Sequence, residues 1–102
     1  MNIMKLMKQA QKVQGDVARV QEEVAKLEKS YSVGGGAVTA VAKGDGLLKS
    51  LTVSPELLNK DDAEALQEML VAAANGALQE VKQVANQRLQ EVTAGLQIPG
   101  LL

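Results

Sequence analysis

Lys5, Lys12, Arg19 and Lys26 stand seven residues apart along the first quarter of the chain, with Lys8 and Lys29 on an adjacent row. Cations at heptad spacing hold one angular position along a supercoiled helix. They would form a rail that tracks the phosphates of a duplex. Asp16 and Glu23 fall beside the apolar seam on the other flank, and residues 1–12 hold three lysines and no acid. The bland alternative is an ordinary solvated helix face. No aromatic residue is interleaved with these cations, so there is no platform for stacking single-stranded bases. No recognition-helix or zinc-finger pattern is present either. Binding through such a rail would be directed at the double-stranded backbone, with little sequence selectivity.

Other constellations fail on context. Gly44-Asp45-Gly46-Leu47-Leu48-Lys49-Ser50 echoes a phosphate-binding loop, but lacks the glycine before the lysine and precedes a strand where that motif needs a helix. Gly34-Gly35-Gly36 is not followed by a helix, which removes a dinucleotide fingerprint. Glu22-Glu23 and Asp61-Asp62 are neighbours in sequence, and adjacent helical residues do not face each other. Asp45 lacks the ligand spacing of a calcium loop. Tyr31 and the serines have no convergent base. With neither Cys nor His among its 102 residues, the chain offers no disulfide, thiolate or imidazole metal ligand, cysteine nucleophile or histidine base. The expectation is a protein that is not an enzyme and that uses no cofactor, metal or small-molecule substrate.

The elements that position the rail follow from periodicity. Ile3, Leu6, Ala10, Val13, Val17, Val20, Val24 and Leu27 alternate steps of three and four, the seam of a coiled coil or bundle. This predicts a long helix over about 2–29, reaching about 40 Å, more than a compact domain of this size can cover. Part of it must project or meet another chain. Met4 and Met7 flank the seam and would fill gaps in a helix interface. Residues 30–36 read as a break with room for a short edge strand. Residues 37–43 read as a strand with Val38, Ala40 and Ala42 on one face and Thr39, Val41 and Lys43 on the other. Gly44-Asp45-Gly46 is a hairpin signal, and 47–53 returns until Pro55 ends the pairing. Asp61 or Asp62 would cap a second helix over about 61–93, interrupted by Gly76 and stopped at Thr93-Ala94-Gly95. An apolar tail, 96–102, follows.

This is an α+β chain in one domain, 1–102: helix, two or three antiparallel strands over about 31–53, helix, tail. Its hydrophobic fraction is 46%, but it comprises 14 Ala, 14 Leu, 12 Val, 4 Met and 2 Ile, with Tyr31 the sole aromatic. Such a core is thin, because aromatics bury the largest areas. A lone hairpin is also marginal and leaves an open edge. Both point to subunits sharing a core in a two-fold homodimer. The formal net charge of −1 conceals polarity: +2 over residues 1–29, +1 over 30–60 and −4 over 61–102. No signal-peptide or membrane-spanning run occurs, so the expected location is cytoplasmic, with no membrane partner.

The chain resembles the YbaB/EbfC family of bacterial nucleoid-associated proteins over nearly its whole length. The residues that carry the resemblance are 7–12 (Met-Lys-Gln-Ala-Gln-Lys), Gln21-Glu22-Glu23 with Leu27-Glu28, and the glycines before Ala37-Val38. They continue with Gly44, residues 51–58 (Leu-Thr-Val-Ser-Pro-Glu-Leu-Leu), 70–75 (Leu-Val-Ala-Ala-Ala-Asn), Ala77-Leu78 and 95–100 (Gly-Leu-Gln-Ile-Pro-Gly). The resemblance implies a tweezer-like homodimer with a shared sheet. It also implies binding of double-stranded DNA that alters its conformation or organises the nucleoid, with gene regulation as a consequence. Lys8 and Lys12 lie inside the matched motif, while Lys5, Arg19 and Lys26 come from the stripe alone. Two departures stand out. The second helix has Gln79, Glu80, Lys82 and Gln83 where the family tends to be more basic, which lowers the expected DNA affinity. Gly15 and Gly76 replace larger polar residues; mere tolerance is the favoured reading, over loosened helices or a close approach of the Gly15 backbone to a phosphate. Competing readings are a prefoldin-like holdase, using apolar residues at the helix tip (Met1, Ile3, Met4, Met7), and a coiled-coil adaptor for another protein.

Overall fold

Asn2 starts the first helix: its side-chain oxygen accepts from the backbone N–H of Met4 (3.2 Å) and Lys5 (3.4 Å), satisfying donors that the first turn leaves orphaned. A computed structural model describes residues 2–94, and the predicted stop at Gly95 and the tail 96–102 lie outside the described residues. Helix α1 (Ile3–Ala25) leads into strands β1 (Glu28–Val33), β2 (Val38–Lys43) and β3 (Leu48–Val53). Two single 3-10 turns (Pro55–Leu57 and Lys60–Asp62) then precede helix α2 (Ala63–Ala94). The architecture is α+β, as expected.

The end of α1 corrects the predicted bounds. The helix stops at Ala25 rather than near residue 29. The Lys26 N–H donates to the Glu23 carbonyl (3.2 Å) and the Leu27 N–H to that of Val24 (3.0 Å), and the Leu27 carbonyl accepts from the Gly44 N–H (2.9 Å). Leu27, the last residue of the heptad pattern, is half-buried at this corner, off the helix. Glu28 and Lys29 enter β1 although neither favours a strand. Pairing decides it: Glu28 lies opposite Lys43 and Lys29 opposite Ala42, and the Lys49 ammonium donates to Glu28 Oε1 at 2.7 Å.

The sheet has the order β1-β2-β3, antiparallel throughout. Gly34, Gly35 and Gly36 turn β1 into β2 with φ of 63°, 67° and 94°, a left-handed run open to glycine and strained for other residues. The second hairpin is a three-residue loop with Gly46 at φ 87°. Asp45 Oδ1 accepts from the Leu47 N–H at 3.0 Å. Lys49 is the extra residue of a bulge, since Val41 pairs with Ser50 but Ala42 with Leu48.

Val38, Ala40 and Ala42 alternate inward as predicted and are fully buried against Ala73, Ala77 and Val81 of α2. Small residues on both sides bring helix and sheet backbones close together. Val33, Val53, Leu57, Leu66, Met69, Leu70 and Leu78 close the margins. Tyr31, opposite Ala40, lays its ring on Gly76, where a Cβ would overlap it. α2 is therefore unbroken at Gly76, which is the seat of the one aromatic side chain. The 3-10 turn that leads into α2 is capped by Asn59, whose side chain accepts from the Asp61 N–H at 3.2 Å.

α2 crosses the sheet from the glycine turn, where Met69 meets Gly34, past Tyr31 at Gly76, to the second hairpin. There the Gly44 backbone lies against Val24 of α1. Arg88 reaches Glu23 (3.5 Å), and α1 packs on α2 rather than across the sheet. The two helices thus form an antiparallel pair leaving that end of the sheet. The longest dimension, 71 Å, exceeds the roughly 48 Å of α2 alone.

Candidate nucleic-acid interface

The inner half of the α1 seam is covered. Val20 is buried and Val13, Val17 and Val24 are half-buried, on the side where Val84, Ala85, Leu89 and Val92 of α2 are half-buried too. The outer half is bare. From Asn2 to Lys12 every residue is exposed except the half-buried Leu6, so α1 projects, as its length predicts.

This projection carries the predicted cations. At about 100° per residue, Lys5, Lys8, Lys12 and Arg19 fall within an arc of about 60°, on the side of the helix away from the seam. Lys5, Lys8 and Lys12 are exposed and make no ion pair among the described residues. Arg19 lies on the same arc but contacts Asp16 at 3.6 Å. An exposed pair of this kind contributes little and releases readily. Lys26 is set apart from the rail. It is the C-cap residue of α1, where a cation complements the helix dipole. Lys29 leaves the row altogether, half-buried in β1. Asp16 and Glu23 fall at the edge of this same arc rather than on the other flank, which is why Arg19 can pair with Asp16. Both are engaged: Asp16 by Arg19 and Glu23 by Arg88. The structure therefore brings together three free lysines over about 10 Å of helix, with Arg19 about 10 Å further along.

Two features do not follow from local sequence. Gly44 has the look of a turn residue, yet its φ is not positive. It is needed because a Cβ there would run into the Val24 carbonyl, so it fixes where α1 meets the sheet. The other is an apolar margin along β3, where Leu47, Leu48 and Leu51 are 41–61% exposed. Its strand alternation was legible, but its exposure was not. Among the described residues no helix is long and apolar enough to cross a membrane, and no three Asp, Glu, Cys or His side chains gather as a metal site.

The model of the YbaB/EbfC DNA-binding family matches residues 1–96. The chain belongs to that family. Relatives include a nucleoid-associated protein of Acetivibrio thermocellus, 46% identical over 101 residues, spanning 98% of this chain and 89% of the relative. Another, from Pelotomaculum thermopropionicum, is 42% identical over 100 residues, spanning 98% and 95%. A crystal structure of an uncharacterized protein from Helicobacter pylori has the same fold, with a TM-score of 0.69 at 24% identity over 85% of this chain and 91% of that one. The family is a DNA-binding one and not an enzyme family.

Proposed function

We propose that this YbaB/EbfC protein is a homodimer that binds double-stranded DNA through its phosphate backbone at the nucleoid. The site is the outer face of α1, with Lys5, Lys8 and Lys12 as principal contacts and Arg19 and Lys26 as outlying ones. Binding alters DNA conformation, organises the nucleoid and thereby affects gene expression. The observation that carries this is the set of three lysines free of ion pairs among the described residues, on one arc of a helix that projects from the core. Lysine ammoniums on flexible stems neutralise phosphates without reading bases, which makes the binding weakly selective. The aromatic inventory supports duplex over single strand, because Tyr31 is the sole aromatic residue and one ring, resting on Gly76, does not make a stacking platform for successive bases.

Dimerisation has separate support. Only Val20, Val38, Ala40, Ala42, Ala73, Ala77 and Val81 are buried hydrophobics in the described subunit, and four of these seven are alanines. Meanwhile β3 is an open edge beside exposed leucines. Pairing two such edges would join the sheets and cover those leucines.

The test is fluorescence anisotropy of a labelled duplex at several salt concentrations, with unrelated competitor sequences. Two copies of three lysines neutralise up to six phosphates, which sets a slope of log K against log salt of about −5. The variant Lys5→Glu/Lys8→Glu/Lys12→Glu should lose binding while sedimentation shows an unchanged mass. Unchanged affinity in that variant rejects the rail.

A further inference from the structure

Two helix faces at opposite ends of the subunit are apolar, bare and bordered by opposite charge. On the projecting part of α1, Met4 is 71% exposed and Met7 59%. Met4 lies about 40° round the helix from Lys8 and about 80° from Lys12, and no acid precedes Asp16. On α2, Val71 is 59% exposed, with Ala72 exposed beside it. Val71 points away from Ala73, which is buried against the sheet. Glu64 and Glu68 are exposed and fall within about 60° of Val71 on the same face. Residues 61–81 hold Asp61, Asp62, Glu64, Glu68 and Glu80 and no cation.

The two faces cannot meet within one subunit. Counting along the antiparallel pair from Glu23 at Arg88, Met4 and Val71 are separated by about 54 Å. A second copy removes that distance. Met4 to Lys12 spans about 12 Å of helix and Glu64 to Val71 about 11 Å, so one face covers the other. We propose that the α1 tip of one copy docks on the outer face of α2 of a second copy, head to tail. Met4 and Met7 lie against Val71 and Ala72, with Lys8 and Lys12 beside Glu64 and Glu68. Unbranched methionines adapt to a shallow apolar surface, and the surrounding charges select partner and register. The contact is heterologous, so each copy keeps one unused face and the assembly grows. It uses surfaces distinct from the β3 edge. It also takes up two lysines of the rail, so duplex and second copy exclude each other; this consequence alone rests on the DNA-binding reading.

Sedimentation of the full chain at low salt should show mass rising with concentration beyond twice that of one chain, and salt should reverse it. Lys8→Glu/Lys12→Glu and Glu64→Lys/Glu68→Lys should each stop the rise, and mixing the two variants should restore it, since basic tip and acidic face again meet across copies. Mass that never passes that of two chains, or is indifferent to both variants, would overturn the proposal. The chain has no cysteine, so introduced thiols locate the contact. Met4→Cys chains mixed with tagged Val71→Cys chains should oxidise to a mixed disulfide at least tenfold faster than Gln9→Cys chains with the same partner. Gln9 is also exposed but lies about 140° round α1 from Met4. Equal rates, or no mixed disulfide, would overturn the proposal as well. Excess duplex should slow the Met4–Val71 reaction at least tenfold. An undiminished rate with duplex bound, as read by anisotropy, would refute the shared use of the lysines, whereas absence of duplex binding would refute the DNA-binding reading and leave the contact standing.

Discussion

Replacing Gly44 and Gly15 by alanine should move stability in opposite directions, although both are glycines in or beside the same helix's frame. At Gly15 nothing lies within 4 Å of an added Cβ. The substitution then acts only on helix propensity and stabilises by about 1 kcal/mol. At Gly44 the added carbon meets the Val24 carbonyl and the Ala25 backbone nitrogen. These are backbone atoms of a helix end and cannot swing aside as a side-chain tip does. Separating them costs about 1–3 kcal/mol as overpacking. It also weakens the Gly44 N–H to Leu27 carbonyl bond, 2.9 Å long, worth about 0.5–1.5 kcal/mol. The combined loss is about 2–4 kcal/mol, a large part of the stability of a small protein. Urea unfolding followed by circular dichroism, at one fixed protein concentration because association contributes, measures both. With a slope of about 2 kcal/mol/M, Gly15→Ala should raise the midpoint by about 0.5 M and Gly44→Ala lower it by about 1–2 M. A Gly44→Ala midpoint within about 0.3 M of the parent, taken with the same slope, would refute the claim that this glycine fixes the junction of α1 and the sheet.

Gly76→Ala should destabilise despite the gain of about 1 kcal/mol that alanine brings to a helix interior, because the new methyl displaces the Tyr31 ring. In a Tyr31→Ala background the same change should stabilise, and a double-mutant cycle without this reversal of sign would disconnect the two residues. Leu48→Asp/Leu51→Asp places charge on the exposed margin of β3, and sedimentation should then show a monomer at micromolar concentration. A dimer of undiminished affinity in that variant would rule out β3 as its seam.

The order of elements and the inward alternation of Val38, Ala40 and Ala42 were readable because period and turn chemistry agree there. The hairpin at Gly44-Asp45-Gly46 was announced by its residues, and Gly46 holds the positive φ it requires. What misled was the seam of α1. Leu27 continues the heptad, and Glu28 and Lys29 suit a helix, so local preference extends it to residue 29. The helix ends at Ala25 because Gly44, seventeen residues beyond Leu27, offers its N–H to the Leu27 carbonyl. No local window contains that partner. Gly76 was opaque for the same reason. As a helix residue it reads as a weakness, and its purpose depends on Tyr31 of a strand 45 positions earlier. Within the rail, the spacing of Lys5, Lys8 and Lys12 was legible, whereas the placing of Lys26 at the helix cap and of Lys29 in β1 followed from the same early helix end.

A net charge of −1 does not oppose binding to a polyanion, because the charges are far apart on the scale that matters in salt water. Asp61, Asp62, Glu64 and Glu68 cluster at the start of α2, beside the glycine turn of the sheet. The lysines of α1 lie beyond the other end of α2, the nearest of them, Lys12, about 45 Å from Glu68. At physiological salt the field falls off over about 8 Å, so those carboxylates are screened to about a hundredth or less at the lysines. The nearer acids are partly cancelled, Asp16 by Arg19 and Glu23 by Arg88. Counting along the antiparallel pair, Glu91 lies near Val20, about 12 Å of helix from Lys12, already beyond one screening length. A phosphate approaching the tip therefore meets the local charge of Lys5, Lys8 and Lys12. The projection of α1 is what creates this condition. Folded back along α2, the same lysines would lie within a screening length of Glu64, Glu68 and Glu80, and the near-neutral total would then describe the surface that DNA meets.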